Sequence, residues 1–269
     1  MQQPRMVVSE VSSLLRNHPE VNVNWADDEF CQAPLHAASI NGHVEVVKLL
    51  LAHPDINVNV RSNAGQTPFS KGCSLGHVSV VEVLLKDPRV DVLLDDNNGC
   101  TPLWWASFNG HHEVIEWLVA SGRDLGDTKN KKGKWIGKDH TALAIARMFK
   151  MTEVVTVLER FIIINPAQTR HEVRVKLGVL DELAAEIFAL TVFLCDDLLQ
   201  LKPAFHLAAT PDHAASATRF FAMASKLPME LQMMVCHRAV GSMKQNILRK
   251  DSEAAFKSLA RIFLCPTSS

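Results

Sequence analysis

The chain of 269 residues has no tyrosine, no long apolar run and no marked excess of charge of either sign. The lack of tyrosine excludes nothing by itself. The lack of a long apolar run excludes a membrane-spanning helix: the most apolar stretch, Ile187 to Cys195, is about nine residues against the roughly 18 needed to cross a bilayer. It is expected as a buried helix. A formal net charge of −1 gives no global pull toward nucleic acid or an anionic membrane. The six cysteines contain no Cys-x-x-Cys pair, and Met1-Gln2-Gln3-Pro4-Arg5 lacks the apolar core of a secretory leader. Reduced thiols and a cytoplasmic or nuclear, intracellular protein are therefore expected. Cys31 and Cys73 are expected close together without a disulfide.

Catalytic and metal-binding patterns are missing too. No glycine-rich phosphate loop is present. His112-Glu113-Val114-Ile115-Glu116 begins like the zinc-protease pattern but has Glu116 where the second histidine ligand belongs. Asp196-Asp197 lacks a third carboxylate and reads as a solvated helix edge. Cys236 and His237 are neighbours on a helix and point about 100° apart, so they cannot form a nucleophile–base pair. Neither an enzyme, a cofactor nor a metal site is expected.

What is there is a period. Pro34, Pro68 and Pro102 are spaced by 34. Each opens a short helix at the position where a missing N–H costs nothing, and Thr67 and Thr101 precede two of them as hydroxyl caps. Each helix stops at a Gly-His pair, at Gly42-His43, Gly76-His77 and Gly110-His111. His18-Pro19-Glu20-Val21-Asn22-Val23-Asn24 matches His53-Pro54-Asp55-Ile56-Asn57-Val58-Asn59 almost residue for residue, so Met6 to Asn17 reads as the second half of an incomplete capping repeat. A fourth unit is weaker. Thr141 arrives 40 residues after Thr101, the proline and the Gly-His pair are gone, and the excess lies in the basic hairpin Asn130–Lys138.

Thr101-Pro102-Leu103 and Pro34-Leu35-His36-Ala37-Ala38, at this period, resemble the ankyrin repeat. The resemblance implies an all-α solenoid of helix-turn-helix units with hairpin loops over residues 5–164, a cap plus about four repeats. Residues 166–269 are expected as a helical domain, either independent or a cover on the last repeat. They would hold a long helix over Leu180–Leu201, a loop over Lys202–Ser216 and helices over 217–225, 228–240 and 252–264.

The ankyrin resemblance further implies that His36, His43, His77 and His111 hydrogen-bond turn backbone. It implies a protein partner on the concave face made by first helices and hairpin tips. Mapped to this chain, that face offers Ala37, Ile40, Asn41, Lys71, Ser74, Leu75, Trp105, Phe108 and Asn109, with Lys132 and Trp135 on the basic hairpin. Trp105 and Phe108 are either an exposed aromatic hot spot or packing under the hairpin or the C-terminal helices. Trp104 replaces the usual histidine and is assigned to packing at the hairpin base. The tips differ in charge: Asp27, Asp28 and Glu29 mark the first, Asp95 and Asp96 the third, and Lys131, Lys132, Lys134 and Lys138 the fourth. Such a gradient would orient a partner. Neither nucleic acid nor membrane is expected as partner, and the chain is expected to be a monomer. Leu227-Pro228-Met229-Glu230-Leu231 resembles the opening of an F-box, which implies an alternative role. That role is a substrate adaptor of a cullin-type ubiquitin ligase, holding a Skp-type protein through Leu227, Pro228 and Leu231.

Overall fold

The computed structural model describes residues 21–195 and 229–242, with residues 13, 220, 224, 247, 251, 252, 254 and 255. The expected helix over Met6–Asn17 falls outside these apart from Ser13, which is helical. The loop 202–216, Asp196, Asp197, Leu227 and Pro228 also fall outside them. The chain forms two compact units, Met1–Val173 and Arg174–Ser269.

In the first unit the period becomes pairs of short antiparallel helices. They are α1 (Pro34–Ile40) with α2 (Val44–Leu51), α3 (Pro68–Leu75) with α4 (Val78–Lys86), α5 (Pro102–Phe108) with α6 (His112–Ser121), and α7 (Ala142–Met148) with α8 (Thr152–Glu159). First helices pack on first helices and second on second, giving two layers. Between them lie Leu35, Val47, Leu50, Phe69, Val81, Leu84, Ile115, Leu118, Ile145 and Leu158, all buried. A single pair is too thin to bury these faces, so each repeat completes the core of its neighbour.

The caps follow from the residues that open each helix. The hydroxyls of Thr67, Thr101 and Thr141 accept hydrogen bonds from the amides of Ser70, Trp104 and Ala144 at 3.1–3.2 Å. Ala33, without a hydroxyl, is held differently: its amide donates to His36 Nδ1 at 3.2 Å. His36 Nε2 then donates to Gln66 O at 2.9 Å, linking repeat one to repeat two.

The Gly-His pairs are the fastening between repeats. His77 Nε2 donates to Ile40 O at 2.7 Å and His111 Nε2 to Ser74 O at 3.0 Å. The glycine before each is needed twice over. Gly76 sits at φ +72°, and a Cβ there would lie 2.5 Å from His111 Nδ1. The fourth unit keeps the geometry without the chemistry. Met151 holds φ −78°, ψ 76°, nearly those of His77 and His111, and its sulfur lies where a Cβ on Gly110 would meet it at 2.7 Å. Lys150 replaces the glycine and keeps a left-handed φ of +58°.

The loops form a second ladder. Asn63 Nδ2 donates to Glu29 O and Asn97 Nδ2 to Asn63 O, at 2.9 and 2.8 Å. The ladder continues into the hairpin β1 (Lys132–Trp135) and β2 (Lys138–Thr141), where the Lys134 amide donates to Asn98 O.

After α8 a π-helical turn, Arg160–Ile164, leads into α9 (Pro166–Leu177). The unit divides after Val173 rather than at Asn165-Pro166. The first turns of α9 are tied to the repeats: Arg170 donates to Val119 O and lies over the Phe161 ring, and Thr169 and Val173 are buried. In the second unit α10 (Val179–Cys195) packs on α11 (Met229–Ala239). Ala184 and Phe188 of α10 and Cys236 and His237 of α11 are buried, and Ala185 and Ala189 of α10 form a buried cluster with Ala255. No described helix is long and apolar enough to cross a membrane.

Candidate protein-binding surface

The first-helix layer and the loops present most of the residues expected to meet a partner, in two different states. Asn41, Leu75 and Asn109 are exposed, while Ile40, Lys71, Ser74, Trp105, Phe108 and Trp135 are half-buried. Two of the polar ones are held by hydrogen bonds, Asn109 to the neighbouring repeat and Asn41 to its own helix. Asn109 Nδ2 donates to Ser74 O at 2.8 Å, and Asn41 Nδ2 to Ala37 O at 2.8 Å. Burial pushes the Lys71 ammonium down, and the Asp96 carboxylate pulls it partly back.

Trp105 and Phe108 belong to a cluster of five rings built across repeats three and four. Trp104 is the floor: it is fully buried, stacks on Phe108 at 5.4 Å and donates from Nε1 to His140 O at 2.9 Å. Trp105 meets Trp104 edge-on at 5.2 Å and donates from Nε1 to Asp96 Oδ2 at 3.0 Å. Phe108 lies 4.6 Å from Trp135 and 4.8 Å from Phe149. Trp105 and Phe108 are thus neither freely projecting nor lost in the core. Their inner edges pack against neighbouring rings, and part of each ring stays open to solvent.

Phe149 escaped the sequence reading. It stands eight residues after the cap Thr141, as Asn109 stands eight after Thr101, so the register alone points to it. The loss of proline, glycine and histidine from the fourth unit hid that register.

The charged tips need two corrections. Asp96 is not a solvated tip residue. It is 6% exposed, its Oδ1 accepts from the Asn98 and Cys100 amides, and its Oδ2 accepts from Trp105. It is a buried turn anchor, while its neighbour Asp95 pairs with Lys131 at 2.5 Å. Asp27 likewise closes its own turn, accepting from the amides of Phe30, Gln32 and Glu29, and the Phe30 bond leads in holding its carboxyl below the ordinary range. The second correction concerns Lys132. Side chains alternate across a strand, and Gly133 and Trp135 face the stack, where a Cβ on Gly133 would meet Cys100 Sγ at 2.5 Å. Lys132 and Lys134 therefore project from the opposite face to Trp135. Lys138, opposite Trp135 in the ladder, shares its face.

His36, His77 and His111 bond turn backbone as the resemblance implied. Among the described residues no group of three or more His, Cys, Asp or Glu is placed to hold a metal ion. Burial and the nearby Asp96 push the Cys100 thiol up to about 12, and burial raises Cys73 further, so both are held as neutral thiols. Of the three F-box-like positions only Leu231 is described, and it is exposed on α11.

The sequence pattern described as Ankyrin repeats matches in three copies, over residues 7–96 and 58–129. The chain is also similar to Rabankyrin-5 of Homo sapiens, 45% identical over 49 residues, and to Rabankyrin-5 of Mus musculus, 43% identical over 49 residues. Each match covers 18% of this chain and 4% of the relative. The chain carries ankyrin repeats, and the helix pair α7–α8 adds a unit beyond the last residue of the matched pattern.

Proposed function

We propose that this ankyrin-repeat chain is a non-catalytic scaffold that holds a partner protein on the concave face, the face of first helices and hairpin loops. The observation that carries the reading is where apolar surface is left open. Leu75, Met148 and Phe149 on or just beyond the first helices are 46%, 48% and 39% exposed, and Phe149 lies against the half-buried rings of Phe108 and Trp135. The second helices instead expose Glu45, Lys48, Lys86, Glu113 and Glu153. Grouped apolar side chains with rigid aromatic neighbours are what a binding hot spot requires. Cys31, Cys73, Cys100 and Cys236 are free thiols, which supports a cytoplasmic or nuclear location.

The test is affinity capture with the full chain and with Leu75→Ser plus Phe149→Ser. Leu75 is exposed and Phe149 is partly so, its inner edge packed on Phe108, so the unfolding midpoint is expected to fall by no more than about 6 °C. Capture is expected to fall at least about tenfold, as loss of two anchors implies. Undiminished capture refutes the concave-face reading. The exposure of Met229 and Leu231 on α11 leaves a second role, an adaptor contact with a Skp-type protein. Binding of that adaptor indifferent to Leu231→Ala counts against it.

A further inference from the structure

One residue of the fourth unit defies both folding and solubility. Ile136 is 83% exposed, the most exposed large apolar side chain among the described residues. It also holds φ +48°, followed by Gly137 at +74°. Trp135 pairs with Lys138, so the two residues between them form a two-residue hairpin loop with positive φ at both positions. That is the pattern of a type I′ turn, which takes Asn, Asp or Gly and is strained by a β-branched side chain. The loops of repeats two and three instead place glycine at their positive φ, Gly65 at +78° and Gly99 at +75°, while the first loop holds Cys31 at +50°. An asparagine at 136 would suit the turn and the solvent better than isoleucine does.

The hairpin that bears Ile136 is firmly rooted and then projects. Its root is fixed by the Lys134 amide on Asn98 O, by Gly133 against Cys100, by the Lys131–Asp95 pair and by Trp135 on Phe108. At its tip a Cβ on Gly137 would meet nothing within 4 Å. Along its strands Lys132, Lys134 and Lys138 are exposed, and Asp139 is the hairpin's one acidic residue.

We infer that the β1–β2 hairpin is an insertion finger. Ile136 enters an apolar pocket on the partner protein, and Lys132, Lys134 and Lys138 meet carboxylates on that pocket's rim. The inference rests on the reading that the repeats bind a protein, and it adds the chemistry of the partner: an apolar recess ringed by Asp or Glu. Strain at an exposed, rigidly held position is characteristic of binding elements. Three cations meeting carboxylates give direction and speed to encounter. A lipid surface fits less well, because Trp135, the ring that would anchor at a bilayer interface, is turned onto Phe108 and the second tip residue is glycine. A single strand of RNA fits less well for the same reason, since the ring that would stack on a base is already engaged.

The experiment places the photoreactive residue p-benzoylphenylalanine at position 136, and separately at position 75, in the full chain. Adducts formed in an extract of the source cells are then sequenced. Adducts at 136 are expected on protein segments rich in Asp and Glu, and to fall at least about tenfold when Lys132→Glu, Lys134→Glu and Lys138→Glu are combined. Adducts at 75 without adducts at 136 overturn the finger and leave the concave-face reading standing. Adducts at neither position overturn both. Adducts at 136 indifferent to charge reversal overturn the acidic rim. Two further arms use phosphatidylserine vesicles and a fluorescent 15-mer of uridine; binding to either that is lost in Ile136→Asn assigns the tip to that ligand instead. Ile136→Asn also guards against a folding explanation. Its unfolding midpoint is expected to stay the same or rise by up to about 4 °C, and a fall makes Ile136 structural.

Discussion

In the second repeat Gly76 sits at positive φ beneath His111 of the next repeat, and a hydrogen bond from that histidine closes the joint. In the fourth, Lys150 stands in the glycine's conformation and Met151 in the histidine's place, with the same backbone angles. The second repeat ends its loop in Asn and Gly; the fourth ends in an exposed isoleucine. The comparison separates two jobs that a repeat performs. The joint demands a backbone geometry, and several side chains satisfy it at different cost. Once the geometry is met, the loop and the outer edge of the first helix are free to vary. The fourth unit spends that freedom on aromatic and cationic side chains.

The sharpest way to break this comparison is at the ring cluster. Trp104→Ala removes a fully buried ring and its hydrogen bond to His140 O, and is expected to destabilise the repeats by about 4 kcal/mol. Trp135→Ala removes a half-buried ring and is expected to cost about 1–2 kcal/mol. Chemical denaturation of the two variants checks the order; equal losses would mean that the hairpin is as much core as the third repeat.

Next in size is the joint. Gly76→Ala meets both an unfavourable φ and a contact 2.5 Å from His111 Nδ1, for an expected loss of about 3 kcal/mol. Lys150→Gly at the matching place relieves the φ and is expected to stabilise by up to about 1 kcal/mol. Opposite signs in the two denaturation curves support the separation of roles.

The smallest effect is a pH dependence confined to one end of the array. Burial pushes the His36 imidazole below the ordinary histidine range. Its bonds fit the neutral ring, with Nδ1 accepting from Ala33 and Nε2 donating to Gln66. With the folded value below the unfolded one, the unfolded chain takes up the proton first on acidification. This contribution to stability is complete above about pH 6.5 and is lost as the pH falls from there toward the folded value. Ala144 occupies the matching place in the fourth unit and titrates nothing. Amide exchange at pH 7.5 and pH 5.5 is expected to show greater acid loosening around Ala33–Ile40 and Gln66 than around α7, and His36→Gln to reduce the difference.

Much of the frame was legible in the residues. Proline at the first helical position, threonine before it and Gly-His after it each have one physical use, and together they marked six of the eight helices in α1–α8. The contents of the face were less legible. Trp105 and Phe108 could not be placed until the hairpin was known to fold Trp135 back onto Phe108, against which Trp105 packs. Asp96 looked like any loop acid because its burial depends on Trp105, nine residues on. Lys132 was grouped with Trp135 because proximity in sequence does not reveal strand register, and a shift of one residue changes the face. Phe149 was missed because the landmarks that would have set its register are those the fourth unit has lost.

The central claim is that binding lies on the first-helix face and concentrates toward repeats three and four. Hydrogen exchange of the full chain, alone and with the partner recovered by capture, tests it most directly. The account predicts slowed exchange at Trp105–Asn109, Lys134–Lys138 and Met148–Lys150, with α2, α4 and α6 unchanged. Protection of α2, α4 and α6 with the first-helix face unaffected would contradict it.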